Sequence, residues 1–172
     1  FSLLEDQSYI LTEILGIVRR EAPDGVILAG DLYDKAAPSA EAVALLDRFL
    51  TELCEQRVPV LAISGNHDSP ERIAFGSRIM QGSGVYLSPV YDGTLTPVTL
   101  TSGDCTADVY LMPFVKPAQV RRFFPDRELG SYTEAMAAAL EGLPANPAHR
   151  SILVCHQFVT GAERSASEQI TV

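Results

Sequence analysis

The sequence predicts an α/β protein, and three observations lead to that prediction. Amphipathic helical segments alternate along the chain with short, continuously apolar runs, which are typical of buried parallel strands. Turn-forming Pro, Gly and Asp residues separate these segments. With 172 residues, 47% of them hydrophobic, the chain is long enough to build one domain around a single core.

The first part of the chain is expected to contain a β-α-β unit that follows a helix. Apolar residues recur at helical spacing over residues 4–21 and again over residues 39–56, which predicts two amphipathic helices. The apolar runs 26–29 and 58–63 predict strands on either side of the second helix. Two strands joined in this way are expected to lie parallel, with a right-handed crossover.

The second part of the chain changes character. Residues 85–112 contain short β-branched and aromatic runs between turn signals, which predicts shorter, partly antiparallel strands. Helices are expected around residues 118–124 and 131–141. The apolar run 151–155 then predicts a third buried strand.

Composition limits the partners that this chain can have. The 13 basic and 22 acidic residues give a formal charge of -9, which argues against a surface that neutralises many DNA phosphates by itself. Three cysteines without paired spacing indicate neither a disulfide framework nor a thiolate zinc site. No apolar run approaches the roughly 20 residues that span a bilayer. We therefore expect a cytoplasmic location and no membrane partner.

The two ends of the sequence predict an incomplete domain. The chain opens at Phe1 without an initiator Met, and it ends in Ile170, Thr171 and Val172, a β-branched run that resembles the start of a strand. We therefore expect residues 1–172 to be one domain that lacks a segment at each end.

Polar residues with ligand chemistry follow each of the three most apolar strands. Asp31 and Asp34 follow the first strand, Asn66 and His67 the second, and His156 the third. The carboxyl ends of parallel strands are where ligands bind in open α/β sheets, and neighbouring strands lie about 4.8 Å apart, so these side chains are expected to converge. A mixed set of oxygen and nitrogen donors suits manganese, iron or zinc better than calcium.

Each of these residues also has an ordinary structural interpretation. Gly-Asp and Gly-Asn are common turn sequences, and a histidine at a strand end is often only hydrogen-bonded. The combination favours a site, because unrelated turns need not place Asp, Asn-His and His after successive apolar strands.

Residues 30–34 (Gly-Asp-Leu-Tyr-Asp) and 65–68 (Gly-Asn-His-Asp) resemble the second and third motifs of the calcineurin-like metallophosphoesterases. The longer stretches 65–72 and 156–162 are similar to the SbcD nucleases within that superfamily. The resemblance implies a four-layer α-β-β-α sandwich, with mixed sheets flanked by helices. It also implies two divalent metal ions, Mn²⁺ above all, with the metal ligands Asp31, Asn66 and His156.

The same resemblance assigns the catalytic histidine to His67 and its orienting carboxylate to Asp34. A protonated imidazole near the leaving oxygen can donate a proton, and a carboxylate behind the ring fixes its orientation. Asp68 is the competing orienter, although as the immediate neighbour of His67 it has less freedom to face that ring.

The resemblance implies an exonuclease and endonuclease that acts on DNA as a subunit of a repair complex. Its expected partners are DNA, an SbcC-like SMC-type ATPase and a second copy of the chain. Two alternatives remain open: a small-molecule phosphatase or phosphodiesterase of the same superfamily, and a non-catalytic scaffold that docks the ATPase.

The sequence departs from the superfamily at both ends, because it contains neither the first Asp-x-His motif nor the last Gly-His-x-His motif. Those motifs supply most ligands of the first metal and one ligand of the second. We therefore expect an empty first site, a weak or empty second site and an inactive chain when it is taken by itself.

Three further features are interpreted without a catalytic role. Cys155 lies beside His156 in a predicted strand, so the two side chains should point to opposite faces and Cys155 should be a buried hydrophobe. Residues 121–124 (Arg-Arg-Phe-Phe) are interpreted as a solvated helix face and not as a nucleic-acid platform. His149 lies in a Pro- and Ala-rich linker and is expected to be solvated.

Overall fold

The computed structural model describes residues 3–158, in which two three-stranded sheets pack face to face between helices. The elements are, in chain order, α1 (Leu4–Glu21), β1 (Val26–Ala29), α2 (Ala40–Glu55), β2 (Val60–Ile63), α3 (Pro70–Ile73), α4 (Ser77–Met80), a 3-10 turn (Gln81–Ser83), β3 (Val85–Leu87), β4 (Val98–Ser102), β5 (Cys105–Leu111), α5 (Pro117–Arg121), α6 (Tyr132–Leu140) and β6 (Arg150–Val154). This order confirms the predicted α/β class and the α-β-β-α layering.

The first sheet is the predicted β-α-β unit with one strand added. Its order is β1-β2-β3 and all three strands are parallel, with Val26 opposite Val60 and Val60 opposite Val85. Helix α2 makes the crossover between β1 and β2, and the side chain of Ser39 caps it by accepting a hydrogen bond from Ala42 N. Helices α1 and α2 cover the outer face of this sheet, where Leu53 is fully buried.

The second sheet is mixed. Strands β4 and β5 form an antiparallel hairpin, and β6 joins β5 in parallel register with Ile152 opposite Val109. Helices α5 and α6 cover its outer face, where Met112 and Val120 are fully buried. A capping box fixes the start of α6, because Ser131 and Glu134 bond reciprocally. The predicted mixture of strand directions is therefore confirmed.

A third cluster of apolar side chains holds the two sheets together. Leu61 and Ile63 from the first sheet meet Val109, Leu111 and Val154 from the second, and each is at most 5% exposed. Burial of such a side chain stabilises a fold by about 1.5–3 kcal/mol. This packing brings the carboxyl ends of β1, β2 and β6 to one edge of the sandwich.

The prediction that residues 151–155 form a buried strand is wrong in its burial. Strand β6 is the outer strand of its sheet among the described residues, with Ile152 39% and Leu153 40% exposed. Strand β1 is likewise outermost in the first sheet, and Ile27 is 45% exposed. An apolar run therefore indicated the strand but not its place in the sheet.

Two short helices, α3 and α4, were absent from the prediction, because a segment of four residues is too short to show helical periodicity. Within residues 3–158, no helix has both the length and the apolar character needed to cross a bilayer.

Candidate metal centre and catalytic loops

The turn after β1 places a carboxylate at the sheet edge. Gly30 has φ of +98° and Asp31 has φ of +50°, so both residues adopt left-handed backbone conformations. A side chain on Gly30 would overlap the imidazole ring of His156, which makes glycine the residue that fits there. Asp31 is one of the few residue types that tolerate this conformation, and such backbone strain is often found at functional sites.

Three ligand-type atoms converge at this edge. His156 Nδ1 lies 2.7 Å from Ala29 O, and because a carbonyl only accepts, Nδ1 carries the proton. In the neutral ring Nε2 therefore bears the lone pair, and it lies 3.0 Å from Asn66 Oδ1 and 3.4 Å from Asp31 Oδ2. The predicted ligands are thus brought together from three different strand ends.

The arrangement of the three atoms fits a bound cation. Three acceptors that face one another repel unless a proton or a metal ion lies among them. Neighbouring ligands on a cation with bonds of about 2.0–2.2 Å lie roughly 3 Å apart, close to the observed spacings. His156 and Asp31 have side chains that are 29% and 34% exposed, so an ion can reach them.

Residues 3–158 bring together one set of three candidate metal ligands. Among residues 3–158, no cluster contains three or more His, Cys, Asp or Glu side chains that could hold a metal, and the carboxamide of Asn66 completes this trio. In the described part of the chain, Asp31 is the only predicted ligand that could also contact a second ion. The assignment of Asp31, Asn66 and His156 as ligands stays a prediction.

Asp31 also connects the first two loops of the site. Its Oδ1 accepts a hydrogen bond from His67 N at 3.0 Å, while its Oδ2 faces His156. A side chain on Gly65 would overlap the Asp31 carboxylate, so the close approach of the loops requires glycine at position 65.

Asp68 has a role that the sequence interpretation missed. Its carboxylate is 7% exposed and accepts three backbone N–H groups, from Leu32 at 3.0 Å, Tyr33 at 2.9 Å and Gly65 at 2.8 Å. Asp68 therefore braces the loop after β1 against the loop after β2. No signal in the sequence distinguishes such a brace from the orienting role that was the alternative interpretation.

The catalytic candidate His67 is held by a main-chain atom. Its Nδ1 lies 3.1 Å from Asp34 O, whereas the Asp34 carboxylate lies 4.0 Å away and is 82% exposed. The main-chain oxygen of Asp34 is therefore nearer to the His67 ring than the carboxylate that the sequence indicated. Arg72 secures the same loop, because its guanidinium donates to Ala36 O at 2.9 Å. The catalytic roles of His67 and Asp34 stay predictions.

Tyr33 lies inside this braced region. Burial, above all, raises the pKa of its phenol, and the charges of Asp68 and Asp47 raise it further. Tyr33 therefore remains a neutral hydrogen-bonding group at physiological pH.

The features interpreted without a catalytic role lie elsewhere. Cys155 packs against the core beneath α5 and α6 but is only partly buried, so the prediction of a buried hydrophobe holds for its packing and not for full burial. Phe123 contacts Tyr91 edge-on, with ring centroids 5.5 Å apart, and the guanidinium of Arg127 lies 5.5 Å from the centre of the Phe124 ring. These rings are therefore occupied by contacts within the chain.

The prediction that His149 is solvated is wrong. Its Nδ1 lies 3.0 Å from Asp108 Oδ2, and its side chain is 26% exposed. The linker sequence is polar and rich in small residues, and it gave no indication that His149 pairs with a buried carboxylate on β5. The strand start expected at residues 170–172 lies outside the described residues, as do residues 159–162 of the stretch that resembles the SbcD nucleases.

Comparisons with known proteins identify the family of this chain. The sequence profile of the calcineurin-like phosphoesterases matches residues 4–168. The chain is 33% identical over 170 residues to the SbcD subunit of the SbcCD nuclease of Staphylococcus epidermidis, and 35% identical over 173 residues to the protein of the same name from Staphylococcus saprophyticus. These alignments cover 97% and 98% of the chain but 44% of each relative, so the chain spans less than half the length of the relatives it matches. With a family match over nearly all of its residues, the chain belongs to the calcineurin-like phosphoesterases and is similar to their SbcD nuclease subunits.

Proposed function

We propose that this chain belongs to a metal-dependent nuclease that hydrolyses phosphodiester bonds in DNA. The observation that carries the proposal is the convergence of Asp31, Asn66 and His156 beside the loop that holds His67. The match to the phosphoesterase family and the similarity to two relatives named as nuclease subunits support the choice of reaction and substrate.

Asp31, Asn66 and His156 are the residues that would hold a divalent cation, which we propose to be Mn²⁺. When bound, such cations draw charge from the phosphate oxygens and lower the pKa of an attacking water. The protein keeps these donors in place before any substrate arrives, since Ala29 O fixes the His156 ring and His67 N fixes the Asp31 carboxylate. Metal ligands are commonly oriented by such outer hydrogen bonds.

His67 is proposed to assist the leaving group. Its Nδ1–H donates to Asp34 O, and its Nε2 has no hydrogen bond to any described residue. The side chain is 46% exposed, so a substrate oxygen can approach Nε2. In the imidazolium form of the ring both nitrogens carry a proton, and the leaving oxygen takes the one on Nε2 while Nδ1–H stays bonded to Asp34 O. The backbone bond between His67 N and Asp31 Oδ1 keeps this imidazole next to the cation ligands.

The full assembly is also a proposal. We infer an SMC-type ATPase partner, because the relatives are named as one subunit of SbcCD, together with a homodimer within that complex and a cytoplasmic location. Phe75 is 85% and Ile79 84% exposed on the segment that follows the Asn66 and His67 loop, so apolar surface exists there for a protein partner.

The test compares two substrates in the full-length protein. We expect Mn²⁺-dependent hydrolysis of linear duplex DNA and of bis(p-nitrophenyl) phosphate, and loss of both in Asp31→Ala. Hydrolysis of the chromogenic diester without any cleavage of DNA would support a small-molecule phosphodiesterase instead. If Asp31→Ala keeps both activities, the assignment of the metal centre is wrong. If the parent protein has neither activity, a non-catalytic scaffold is favoured.

A further inference from the structure

Three aromatic side chains form a connected group at the edge of the second sheet. The ring centroids of Phe114 and Tyr132 lie 6.1 Å apart with an interplanar angle of 41°, and those of Tyr132 and Phe158 lie 6.1 Å apart at 85°. The three residues come from the segment after β5, the first residue of α6 and the segment after β6. We refer to Phe114, Tyr132 and Phe158 as the aromatic group.

The aromatic group adjoins the candidate metal centre through two separate segments. Phe114 N donates to Ser64 O at 2.8 Å, and Ser64 immediately precedes the loop that carries Asn66. Phe158 follows His156 by two residues, and because an extended chain advances about 3.3 Å per residue, their Cα atoms lie within about 7 Å. The aromatic group is therefore connected by short stretches of backbone to two of the three candidate ligands, Asn66 and His156.

Two of the three rings are exposed to solvent, and Phe114 is partly buried. Phe158 is 61% exposed and Tyr132 is 36% exposed. An exposed aromatic surface beside a phosphoester-binding centre has the chemistry of a nucleobase-stacking site.

The charge of the chain favours a nucleobase as the occupant. At a formal charge of -9 the chain can gain little affinity from phosphate contacts, which normally supply most of the binding to nucleic acids. Stacking on aromatic rings does not depend on that charge and tolerates any base. The rings offer a way for an acidic surface to hold a polyanion, close in sequence to the exposed cation of Lys116 at the start of α5.

We propose that Phe114, Tyr132 and Phe158 stack an unpaired nucleobase adjacent to the scissile phosphate. The proposal rests on the nuclease function proposed above and makes that function more specific, because only an unpaired or frayed base can leave its neighbours to stack there. Single strands and frayed ends are therefore the preferred substrates. Paired bases in the interior of a duplex are excluded from the aromatic group.

The first experiment measures stacking directly in the full-length protein. A short oligothymidylate carrying one 2-aminopurine is titrated in EDTA, so that no strand is cut, and stacking is read as quenching of the base fluorescence. We expect quenching with the parent protein, and binding about 5- to 100-fold weaker with reduced quenching in Phe158→Ala and Tyr132→Ala. Phe158→Trp should restore both, because it keeps an aromatic face.

The matched control is Tyr9→Ala. Tyr9 is 64% exposed on α1, in the outer layer of the other sheet, and its removal should leave quenching unchanged. Phe158→Leu separates stacking from apolar packing, since leucine keeps bulk but has no aromatic face. Parent-like quenching in Phe158→Leu, or no quenching in the parent, overturns the proposal. A fall in melting temperature for Phe158→Ala without any change in quenching also overturns it, because the ring would then be packing against the chain itself.

The second experiment separates this inference from the proposed function. In Phe158→Ala we expect the KM for single-stranded DNA to rise by about the same 5- to 100-fold, with an unchanged rate on an abasic oligonucleotide of the same length, which keeps the phosphodiester bonds but has no ring to stack. An unchanged KM overturns the stacking site while the nuclease function stands. Loss of the rate on both substrates would make Phe158 part of the catalytic structure and also overturn the stacking role.

Discussion

Two buried aspartates, one in each sheet region, illustrate different uses of the same side chain. Asp68 is 7% exposed and Asp108 is 5% exposed, so both carboxylates have lost most of their water. Three backbone N–H groups from two loops of the candidate site replace the hydrogen bonds to water that Asp68 has lost. Asp108 is compensated by two side chains, the hydroxyl of Thr99 at 2.6 Å and the imidazole of His149 at 3.0 Å.

The difference lies in what each carboxylate holds in place. Backbone amides cannot turn away when their acceptor is lost, so the loops themselves depend on Asp68. The partners of Asp108 are side chains that can rotate toward water or toward other groups. We infer that Asp68 positions the site, whereas Asp108 only fastens the linker before β6 to the sheet.

The largest expected effect comes from Asp68→Ala. It leaves three N–H groups without their acceptor, at a cost of about 1–3 kcal/mol for each one that stays buried. We expect a loss of unfolding free energy of roughly 3–5 kcal/mol, measured by urea denaturation, together with loss of Mn²⁺ binding by calorimetry. Asp108→Ala serves as the matched control, with a smaller loss of stability and unchanged metal binding. Equal metal binding in Asp68→Ala and the parent would remove the positioning role.

The second prediction tests how closely the site loops approach one another. Gly30→Ala places a methyl group against the His156 ring at a position with φ of +98°, so ring and backbone must both shift. We expect Mn²⁺ affinity to fall about 10- to 100-fold, the range seen when the groups that orient a metal ligand are lost. Gly16→Ala in α1 is the control, because nothing lies within 4 Å of the added group and alanine favours a helix. Weaker metal binding in both variants would point to a general effect on the fold.

The secondary-structure elements with the strongest apolar patterns were predicted best from the sequence. Helices α1 and α2 and strands β1, β2 and β6 were predicted to within a few residues, because their apolar patterns are strong. Their exposure was not predictable, since burial of Ile27 or Ile152 depends on which strand lies beside them. Periodicity says nothing about neighbours that are distant in the sequence.

The candidate site shows the same limit at the level of atoms. The residues that converge, Asp31, Asn66 and His156, were all predicted from their places after apolar strands. The bonds that hold His156 and His67 were not, because their acceptors, Ala29 O and Asp34 O, are main-chain atoms of a kind that every residue possesses. The sequence identifies the side chains, but only the fold shows which backbone groups they contact.

The third prediction separates His67 from its neighbour. His67→Ala should lower the hydrolysis rate by about 10²- to 10⁴-fold at unchanged Mn²⁺ affinity, as expected for loss of a general acid. Asp34→Ala should lower the rate less than about 10-fold, because the carbonyl that holds the ring survives the substitution. Rates on linear duplex DNA and calorimetric titrations make the comparison. If Asp34→Ala is as damaging as His67→Ala, the carboxylate at 4.0 Å is the important group; if His67→Ala abolishes Mn²⁺ binding, His67 is a ligand.

The smallest effect concerns the response of Asp108 to acid. The hydrogen bond from Thr99 holds the pKa of Asp108 below its ordinary value, and the hydrogen bond and charge of His149 lower it further. A carboxyl group whose pKa is lower in the folded state stabilises the fold above the ordinary Asp pKa of about 3.9, and this stabilisation is lost as the pH falls through the lowered value.

The melting temperature should therefore fall more steeply below about pH 4 in the parent than in Asp108→Asn, which has no carboxyl group to protonate at this position. Asp104→Asn in the β4–β5 turn is the control, because Asp104 is exposed and the substitution should keep the slope of the parent. Melting curves between about pH 2 and 7, all at one ionic strength, provide the slopes. Parallel curves for the parent and Asp108→Asn would mean that the bonds from Thr99 and His149 hold an amide as well as a carboxylate, and the linker would then be fastened by geometry alone.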